Sequence, residues 1–228
     1  MSIYEEKFFR NIGTITLREQ KILRATTIAI VGLGGTGGTV LECLIRAGCE
    51  HFILFDRDRF DLTNCNRQLL ATDDSLDRKK IDVAIERAKK INKNIQIQSF
   101  ESFDSKKLKG VNLVIDATDN VETRIEIAYA CTKQKISYVF CSASFSRGMV
   151  SVFTDYSFEK AFQLPKSKTE LKKYNTCTSV LSVATMFSGT LAANQVINYL
   201  LGKPFVKAPD LLFFDLFSEK IVWKERLE

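Results

Sequence analysis

The chain has 228 residues, a formal net charge of +6 and the composition of an ordinary globular protein, 45% hydrophobic and 26% charged. No apolar run approaches the roughly 20 residues that a membrane-spanning helix requires, and the start, Met1-Ser2-Ile3-Tyr4, is not an apolar signal sequence. The modest charge permits acidic partners, such as nucleotides or an acidic carrier protein, and by itself does not argue for DNA binding. We therefore expect a soluble, cytoplasmic protein without a membrane partner.

The first elements predict an alternating α/β fold. An N-terminal helical segment, 1–25, contains the capping box Thr16-Leu17-Arg18-Glu19, which predicts a helix over 17–24. Buried apolar runs then alternate with stretches of helical periodicity. The predicted strands are 27–31, 52–55, 95–100, 111–115 and 137–140, and the predicted helices are 39–47, 79–91 and 121–133. This alternation predicts a Rossmann-like, doubly wound, mainly parallel sheet with helices on both faces.

The last third has a different character. A strand over 149–154 precedes the polar segment 155–176, which holds Pro165 and five lysines and is predicted to be a mobile crossover loop; a plain solvated connection is the alternative. A long helix over 179–201 ends at Gly202 and Pro204. Strands over 211–214 and 221–224 would form a hairpin, a C-terminal antiparallel extension of the sheet. No linker is evident, so residues 1–228 are expected to form one domain.

A glycine-rich turn joins the first strand to the following helix. Gly32, Gly34 and Gly37 fit the G-x-G-x-x-G fingerprint, in which glycines let the backbone turn sharply and approach a phosphate at the helix N-terminus. Asp56 ends the second strand about twenty residues later, where an acid hydrogen-bonds a ribose. Nucleotide binding is therefore expected. The alternative is a tight turn that only packs the helix.

Further polar motifs follow in a fixed order and narrow the class of protein. They are Asp56-Arg57-Asp58, Asn64-Cys65-Asn66-Arg67-Gln68, Lys79-Lys80 and Asp116-Ala117-Thr118-Asp119-Asn120. In this order the sequence resembles, over essentially its whole length, the ThiF/MoeB/HesA family, bacterial relatives of the ubiquitin-activating enzymes. That family shows G-x-G-G-x-G, D-x-D, N-x-x-R-Q, a lysine and D-x-x-D-N. The resemblance implies an adenylyltransferase that uses ATP and Mg²⁺.

The resemblance also implies roles for individual residues. Asp56 would hold the ribose hydroxyls. Asn64, Arg67 and Lys80 would contact the triphosphate, where fixed cations offset charge as pyrophosphate departs. Asp119 would bind magnesium, because a hard cation prefers oxygen ligands. The nucleotide-binding set comprises Gly32, Gly34, Gly35, Gly37, Asp56, Asp58, Asn64, Arg67, Gln68, Lys80, Asp119 and Asn120. Three alternatives stay open: Arg67 and Lys80 as ordinary surface cations, and Asn120 as a helix cap. Asp116 is expected to cap its strand or support the site rather than bind metal.

Two further residues complete the implied catalytic set, Arg67, Lys80, Asp119, Arg10 and Cys177. Arg10 matches an arginine that the family supplies from the partner subunit of a homodimer; an exposed helix charge is the alternative. Cys177 precedes the long helix and matches a cysteine that forms a thioester or persulfide with the activated carrier. A helix N-terminus would lower its pKa. An inert structural thiol is the alternative.

The sequence departs from the best-known relatives at their zinc site. They carry two Cys-x-x-Cys pairs, whereas none of the six cysteines here forms such a pair and the one histidine, His51, is not near one. We therefore expect elemental analysis of the purified protein to find no stoichiometric zinc. One tightly held zinc per chain would contradict this prediction. The departure also puts assignment to molybdopterin or thiamine synthesis in doubt.

Several functions remain to be weighed. The first is adenylylation of a carboxylate, either the C-terminus of a ubiquitin-like sulfur carrier or a small-molecule acid in cofactor biosynthesis. The second is the tRNA-modifying branch, a threonylcarbamoyladenosine dehydratase. Two features favour it, the segment Arg10-Asn11-Ile12-Gly13 and the lysine-rich loop. The third is an NAD-dependent oxidoreductase, for which no catalytic residue set is evident. The fourth is a non-catalytic nucleotide-binding module, against which the combination of Arg67, Lys80 and Asp119 argues.

Overall fold

A computed structural model describes residues 2–165, 167–171, 173 and 179–227. In these residues eight strands form one sheet in the order β3-β2-β1-β4-β5-β6-β7-β8. The strands are β1 (Thr27–Val31), β2 (His51–Phe55), β3 (Gln96–Phe100), β4 (Leu113–Asp116), β5 (Ser137–Ser144), β6 (Arg147–Phe153), β7 (Asp210–Asp215) and β8 (Val222–Arg226). The first five pair in parallel, and β6, β7 and β8 extend the sheet in antiparallel pairs.

Helices cover both faces of the sheet. They are α1 (Ile3–Lys7), α2 (Leu17–Ala25), α3 (Gly35–Arg46), α4 (Lys80–Ile91), α5 (Val121–Gln134), α6 (Phe158–Ala161), α7 (Lys168–Leu171) and α8 (Ser182–Leu200). On one face α3, α4 and α8 bury the even-numbered side chains of β1, such as Ile28 and Ile30. On the other face α5 and α6 bury Ala29 and Val31. The period-2 pattern of a strand buried on both faces explains the continuous apolar run of β1. No helix among the described residues is long and apolar enough to cross a membrane.

The doubly wound, mainly parallel sheet and its antiparallel C-terminal extension are confirmed. The capping box of α2 is also present, with Thr16 Oγ1 accepting from the Glu19 N–H and Glu19 accepting from the Thr16 N–H. Other boundaries differ. The helix predicted over 39–47 begins at Gly35, inside the glycine run, and the strand predicted over 137–140 continues to Ser144, where it turns into β6. A single domain over 1–228 stays a prediction.

The segment predicted as a mobile crossover loop, 155–176, holds two short helices in its described part, α6 and α7. Phe158 of α6 is buried and packs against Tyr138, Phe140 and Phe153, with ring centroids 5.4 to 5.8 Å apart. Aromatic burial stabilises this start of the crossover, so residues 158–161 form a packed helix, and the mobility of the 155–176 segment stays a prediction. Residues 166, 172 and 174–178 lie outside the described residues, and so does the predicted Cys177.

Candidate nucleotide-binding site

A cleft of about 1040 Å³ lies at the carboxyl ends of the parallel strands. The strand order reverses between β1 and β4, which is the topological switch point at which doubly wound sheets bind ligands. Its walls come from the glycine-rich turn after β1, from Asp56 after β2 and from the turn after β4. The predicted site residues that line it are Gly32, Gly34, Gly35, Asp56, Asp58, Arg67, Gln68, Lys80, Asp119 and Asn120. The fold therefore brings together residues spread over almost 90 positions of sequence, 32–120.

The glycine-rich turn runs directly into α3. Gly32 has a φ of +89°, and a Cβ there would lie 2.8 Å from the Ala117 carbonyl oxygen, so both backbone conformation and space require glycine. Gly34 is the N-cap of α3. Because the first N–H groups of a helix have no partner within the helix, the start of α3 offers donors and a positive dipole end to an anion.

Gly37 has a packing role that can be tested. A Cβ at Gly37 would lie only 1.9 Å from the Gly32 carbonyl oxygen, whereas one at Gly38 would meet Leu70 at 3.4 Å. We expect Gly37→Ala to lower the free energy of unfolding by about 1–3 kcal/mol or more, the range for an over-packed position. Gly38→Ala is the matched control, because the same methyl group enters the same helix without a backbone clash. Chemical denaturation of both variants measures the difference, and equal stabilities would contradict the packing role.

Asp56 is a largely buried carboxylate at the end of β2. Its Oδ2 accepts from the Leu33 N–H at 2.6 Å and its Oδ1 from the Asp58 N–H at 2.8 Å. Burial raises the pKa of Asp56, against the effect of these two backbone donors. Each carboxylate oxygen keeps a further lone pair, so Asp56 holds the turn in place and still has acceptor capacity for a ribose hydroxyl.

Lys80 is not an ordinary surface cation. It is only 7% exposed, at the start of α4, and its Nζ lies 3.2 Å from Asp58 Oδ2. Burying an ammonium group is costly unless it is paired, and the Asp58 carboxylate supplies the partner. Arg67 is partly buried, and its Nη1 donates to the Thr63 carbonyl at 2.7 Å and to Asn66 Oδ1 at 2.8 Å. Two cations therefore enter the cleft, each oriented by a polar neighbour.

The amides of the 64–68 segment are placed differently from one another. Gln68 is 7% exposed beside Gly34, and its Oε1 has no hydrogen-bond partner among the described residues. This buried oxygen is free to accept a hydrogen bond from a donor group of a ligand or from an ordered water. Asn64 is also buried, but its Oδ1 accepts from the Asp61 N–H at 3.5 Å and it does not line the cleft. The expected contact of Asn64 with the triphosphate is thus not supported, because its side chain closes a local turn; Asn66 lines the cleft instead.

The turn after β4 carries three acidic or amide residues with distinct environments. Asp119 is exposed and lines the cleft. Asn120 also lines it, and its Oδ1 caps α5 by accepting from the Thr123 N–H at 2.9 Å. Asp116 is fully buried and accepts from Thr118, Arg124 and Tyr138. Asp116 therefore supports the turn, as expected, and Asp119 is the carboxylate available to a ligand or cation.

The predicted magnesium depends on this single carboxylate. In the described part of the chain no group of three or more His, Cys, Asp or Glu side chains is placed to hold a metal ion. One carboxylate beside the phosphates is nevertheless a usual arrangement for Mg²⁺, which takes its other ligands from phosphate oxygens and water. The donor set around Asp119 fits a nucleotide-bound Mg²⁺.

Several cleft residues were not predicted from the sequence. Arg124 lines the cleft from α5 although it is 7% exposed, and Phe140, Met149, Phe158, Phe162 and Leu164 form an apolar wall. The position of Arg124 could have predicted its burial. It lies one helical turn after Asn120 and shares a helix face with the buried residues Ile127 and Ala128. The apolar wall had no such signal, because β5 and the crossover segment meet only in the folded chain.

Arg10 does not line the cleft of its own chain. The neighbouring Asn11 donates to the Ala47 carbonyl at 3.2 Å, at the C-terminal end of α3. The cleft lies at the opposite end of this helix, which is 12 residues and therefore about 18 Å long. Arg10 is exposed in a 3-10 turn over Phe9–Asn11. Any contact of Arg10 with a nucleotide site would have to be made with another copy of the chain.

The fold and the switch-point cleft define a protein of the Rossmann class. The sequence model of the ThiF family matches residues 8–227. The chain therefore belongs to the ThiF family.

Individual relatives have several named activities. The chain is 35% identical over 140 residues to a molybdopterin-synthase adenylyltransferase of Haemophilus influenzae, covering 59% of this chain and 58% of that protein. It is 34% identical over 143 residues to a tRNA threonylcarbamoyladenosine dehydratase of the same organism, covering 60% and 54%. It is 30% identical over 210 residues to the sulfur carrier protein ThiS adenylyltransferase of Escherichia coli, covering 90% and 83%. The match thus spans little more than half the length of the first two relatives.

Solved structures with the same fold are more distant in sequence. PaaA superimposes with a TM-score of 0.80 at 18% identity, over 100% of this chain and 75% of that one. Escherichia coli MccB with ATP superimposes with a TM-score of 0.76 at 19% identity, over 92% and 66%. At these identities the likeness establishes the fold alone.

Proposed function

We propose that this protein adenylylates a carboxylate with ATP and Mg²⁺. The observation that carries the proposal is the meeting, in one cleft, of the open start of α3, the cations Arg67 and Lys80, and the exposed Asp119. A binding module for a neutral ligand has no use for this arrangement, whereas departure of a pyrophosphate requires fixed positive charge. The named adenylyltransferases among the relatives support the same reaction.

The proposed reaction assigns a task to each group. The carboxylate oxygen of the acceptor attacks the α-phosphorus of ATP, the bond to the bridging oxygen breaks, and an acyl-adenylate and pyrophosphate form. Asp56 holds the ribose, the N–H groups at the start of α3 hold phosphate oxygens, and Arg67 and Lys80 offset the charge that develops on pyrophosphate. Asp119 would hold the magnesium, which supplies charge neutralisation between phosphate oxygens when bound. The protein thereby contributes orientation and electrostatic stabilisation.

The acceptor belongs to one of two classes, the C-terminus of a ubiquitin-like carrier or a small-molecule acid. The apolar wall of Phe140, Met149, Phe158, Phe162 and Leu164 continues the cleft beyond the phosphate-binding end and offers either acceptor an apolar contact surface. The tRNA dehydratase reaction is the second candidate, and the 34% identity to such an enzyme favours it over unrelated chemistry. A role for Cys177 in holding an activated carrier also stays a proposal.

A homodimer is part of the proposal. Beside the cleft, exposed apolar side chains form a rim patch of Phe145, Leu181, Val183 and Phe217, of which Phe217 is 80% exposed. The Leu181 N–H donates to the Phe145 carbonyl, and the Leu216 N–H, beside Phe217, donates to the carbonyl of Ser146, beside Phe145. Exposed patches of this kind mark interfaces. The exposed Phe9 next to Arg10 offers a matching apolar contact on the N-terminal segment.

The proposed reaction is tested by exchange of labelled pyrophosphate into ATP. Because formation of an acyl-adenylate is reversible, the wild-type protein should catalyse exchange when the right acid or carrier is present. The same preparation should bind ATP more tightly in magnesium than in a chelator, as measured by calorimetry. Tight NAD binding without measurable ATP binding would instead favour an oxidoreductase and overturn the proposal.

A further inference from the structure

A buried ionic network lies directly behind the turn that carries Asp119. Asp116 at the end of β4 is 0% exposed, and its Oδ2 accepts from Tyr138 Oη at 2.6 Å and from Arg124 Nη1 at 3.1 Å. Asp116, Arg124 and Tyr138 are all less than 9% exposed. A buried carboxylate and guanidinium are stable only when paired and hydrogen-bonded, so this network has little freedom to rearrange.

Every polar group of Thr118 is held by this network. The Thr118 N–H donates to Asp116 Oδ1 at 2.9 Å, its hydroxyl donates to the same oxygen at 2.6 Å, and its carbonyl accepts from Arg124 Nη2. Thr118 is the residue before Asp119. With its N–H, hydroxyl and carbonyl all engaged, the backbone from which Asp119 projects has one defined direction.

The network also reaches β5. Arg124 Nη1 donates to the Cys141 carbonyl at 3.2 Å, and the guanidinium lies 4.8 Å from the centre of the Phe140 ring. Phe140 belongs to the apolar wall, and Cys141, the next residue of β5, also lines the cleft. Burial and the adjacent Asp116 carboxylate raise the pKa of Tyr138, so its hydroxyl remains a hydrogen-bond donor at neutral pH.

We propose that Tyr138 and Arg124 are positioning residues for magnesium-nucleotide binding, acting through Asp116 and Thr118 on the direction of Asp119. Tyr138 does not line the cleft, and the role proposed for Arg124 depends on its contacts with Asp116 and Thr118. Its energetic basis is that a carboxylate held in the geometry of the bound state loses less conformational freedom when the cation binds. The inference rests on the proposed function for the role of Asp119, and it assigns two buried groups that phosphate binding alone does not use.

The test compares ATP affinity in magnesium with ATP affinity in a chelator, by calorimetry on the full chain. We expect Tyr138→Phe to reduce the magnesium enhancement of ATP affinity by about tenfold. This is the order of magnitude of losing a hydrogen bond to a charged group. ATP affinity in the chelator should stay unchanged. Arg124→Lys keeps the charge, loses the two-pronged contact and should have a larger effect. If Arg124→Lys does not fold, Tyr138→Phe still decides the question.

The matched control is Tyr199→Phe. Tyr199 Oη and Ser137 Oγ form an equally short hydrogen bond, 2.6 Å, at the first residue of β5, directly before Tyr138 and outside the cleft. This variant loses the same hydroxyl group and should keep the full magnesium enhancement. An equal loss in Tyr199→Phe and Tyr138→Phe would show a general effect of stability and overturn the positioning role.

A double-mutant cycle separates action through Asp119 from any other route. In the Asp119→Asn background, Tyr138→Phe should cause no further loss of magnesium enhancement, because the group that it positions is already neutral. Additive losses would overturn the proposal. Binding is measured without an acceptor, so the positioning result can be interpreted on its own. Absence of pyrophosphate exchange in the wild-type protein with the right acid or carrier present would refute the proposed reaction separately.

Discussion

Asp119→Asn should lower the rate of pyrophosphate exchange into ATP by about 10²-fold or more, the scale for losing one key electrostatic contact. The substitution keeps the shape of the side chain and removes its charge. Asp119 is the exposed carboxylate at the turn after β4 and faces the same cleft as Arg67 and Lys80. ATP binding should survive better than exchange, because the start of α3 and Asp56 remain intact.

Asp74→Asn is a suitable control for this experiment. Asp74 is an exposed carboxylate in the 3-10 turn over Asp73–Ser75, and it does not line the cleft. Its neutralisation makes the same change in net charge and should leave exchange unaltered. Exchange at the wild-type rate in Asp119→Asn would refute the role of Asp119.

The second large effect concerns assembly. Arg10→Ala and Lys80→Ala should each inactivate the proposed homodimer, and mixing the two variants should restore activity. In a heterodimer, the subunit with intact Lys80 receives Arg10 from its partner, whereas the other site lacks both groups. Random exchange of equal amounts makes half of the dimers mixed, each with one of its two sites complete, so activity should recover to about a quarter of the wild-type value.

Arg10 lies far from the cleft of its own chain, so recovery of activity would require Arg10 from the partner. Asn11 beside it contacts Ala47 at the C-terminal end of α3, while the cleft lies at the N-terminal end. Arg18→Ala is the control, since Arg18 is an exposed arginine of the same N-terminal segment and its loss should leave each homodimer active. If tagged subunits exchange fully and no activity returns, Arg10 does not act across the interface.

Much of the fold was predictable because the buried positions of strands and helices recur in the sequence with a regular period. The strand predicted over 27–31 is observed as Thr27–Val31, and Asp56, the acid predicted at the end of the second strand, directly follows β2 and lines the cleft. The start of α3 was predicted at residue 39 but lies at Gly35. Glycine has a low helix propensity, so a first turn made mainly of glycine carries no local helical signal.

The sequence by itself determined the Rossmann class, the order of the polar motifs and the family, because these depend on residue type and spacing along the chain. Only the tertiary structure decided which side chains of the 64–68 segment face the cleft, since Asn64 closes a turn while Asn66 and Gln68 line the site. It also decided that Lys80 is a buried ion-pair partner and that Arg124 and Tyr138 hold the Asp119 turn. Such contacts join residues far apart in the chain, and their energies depend on burial and distance, which no local pattern records.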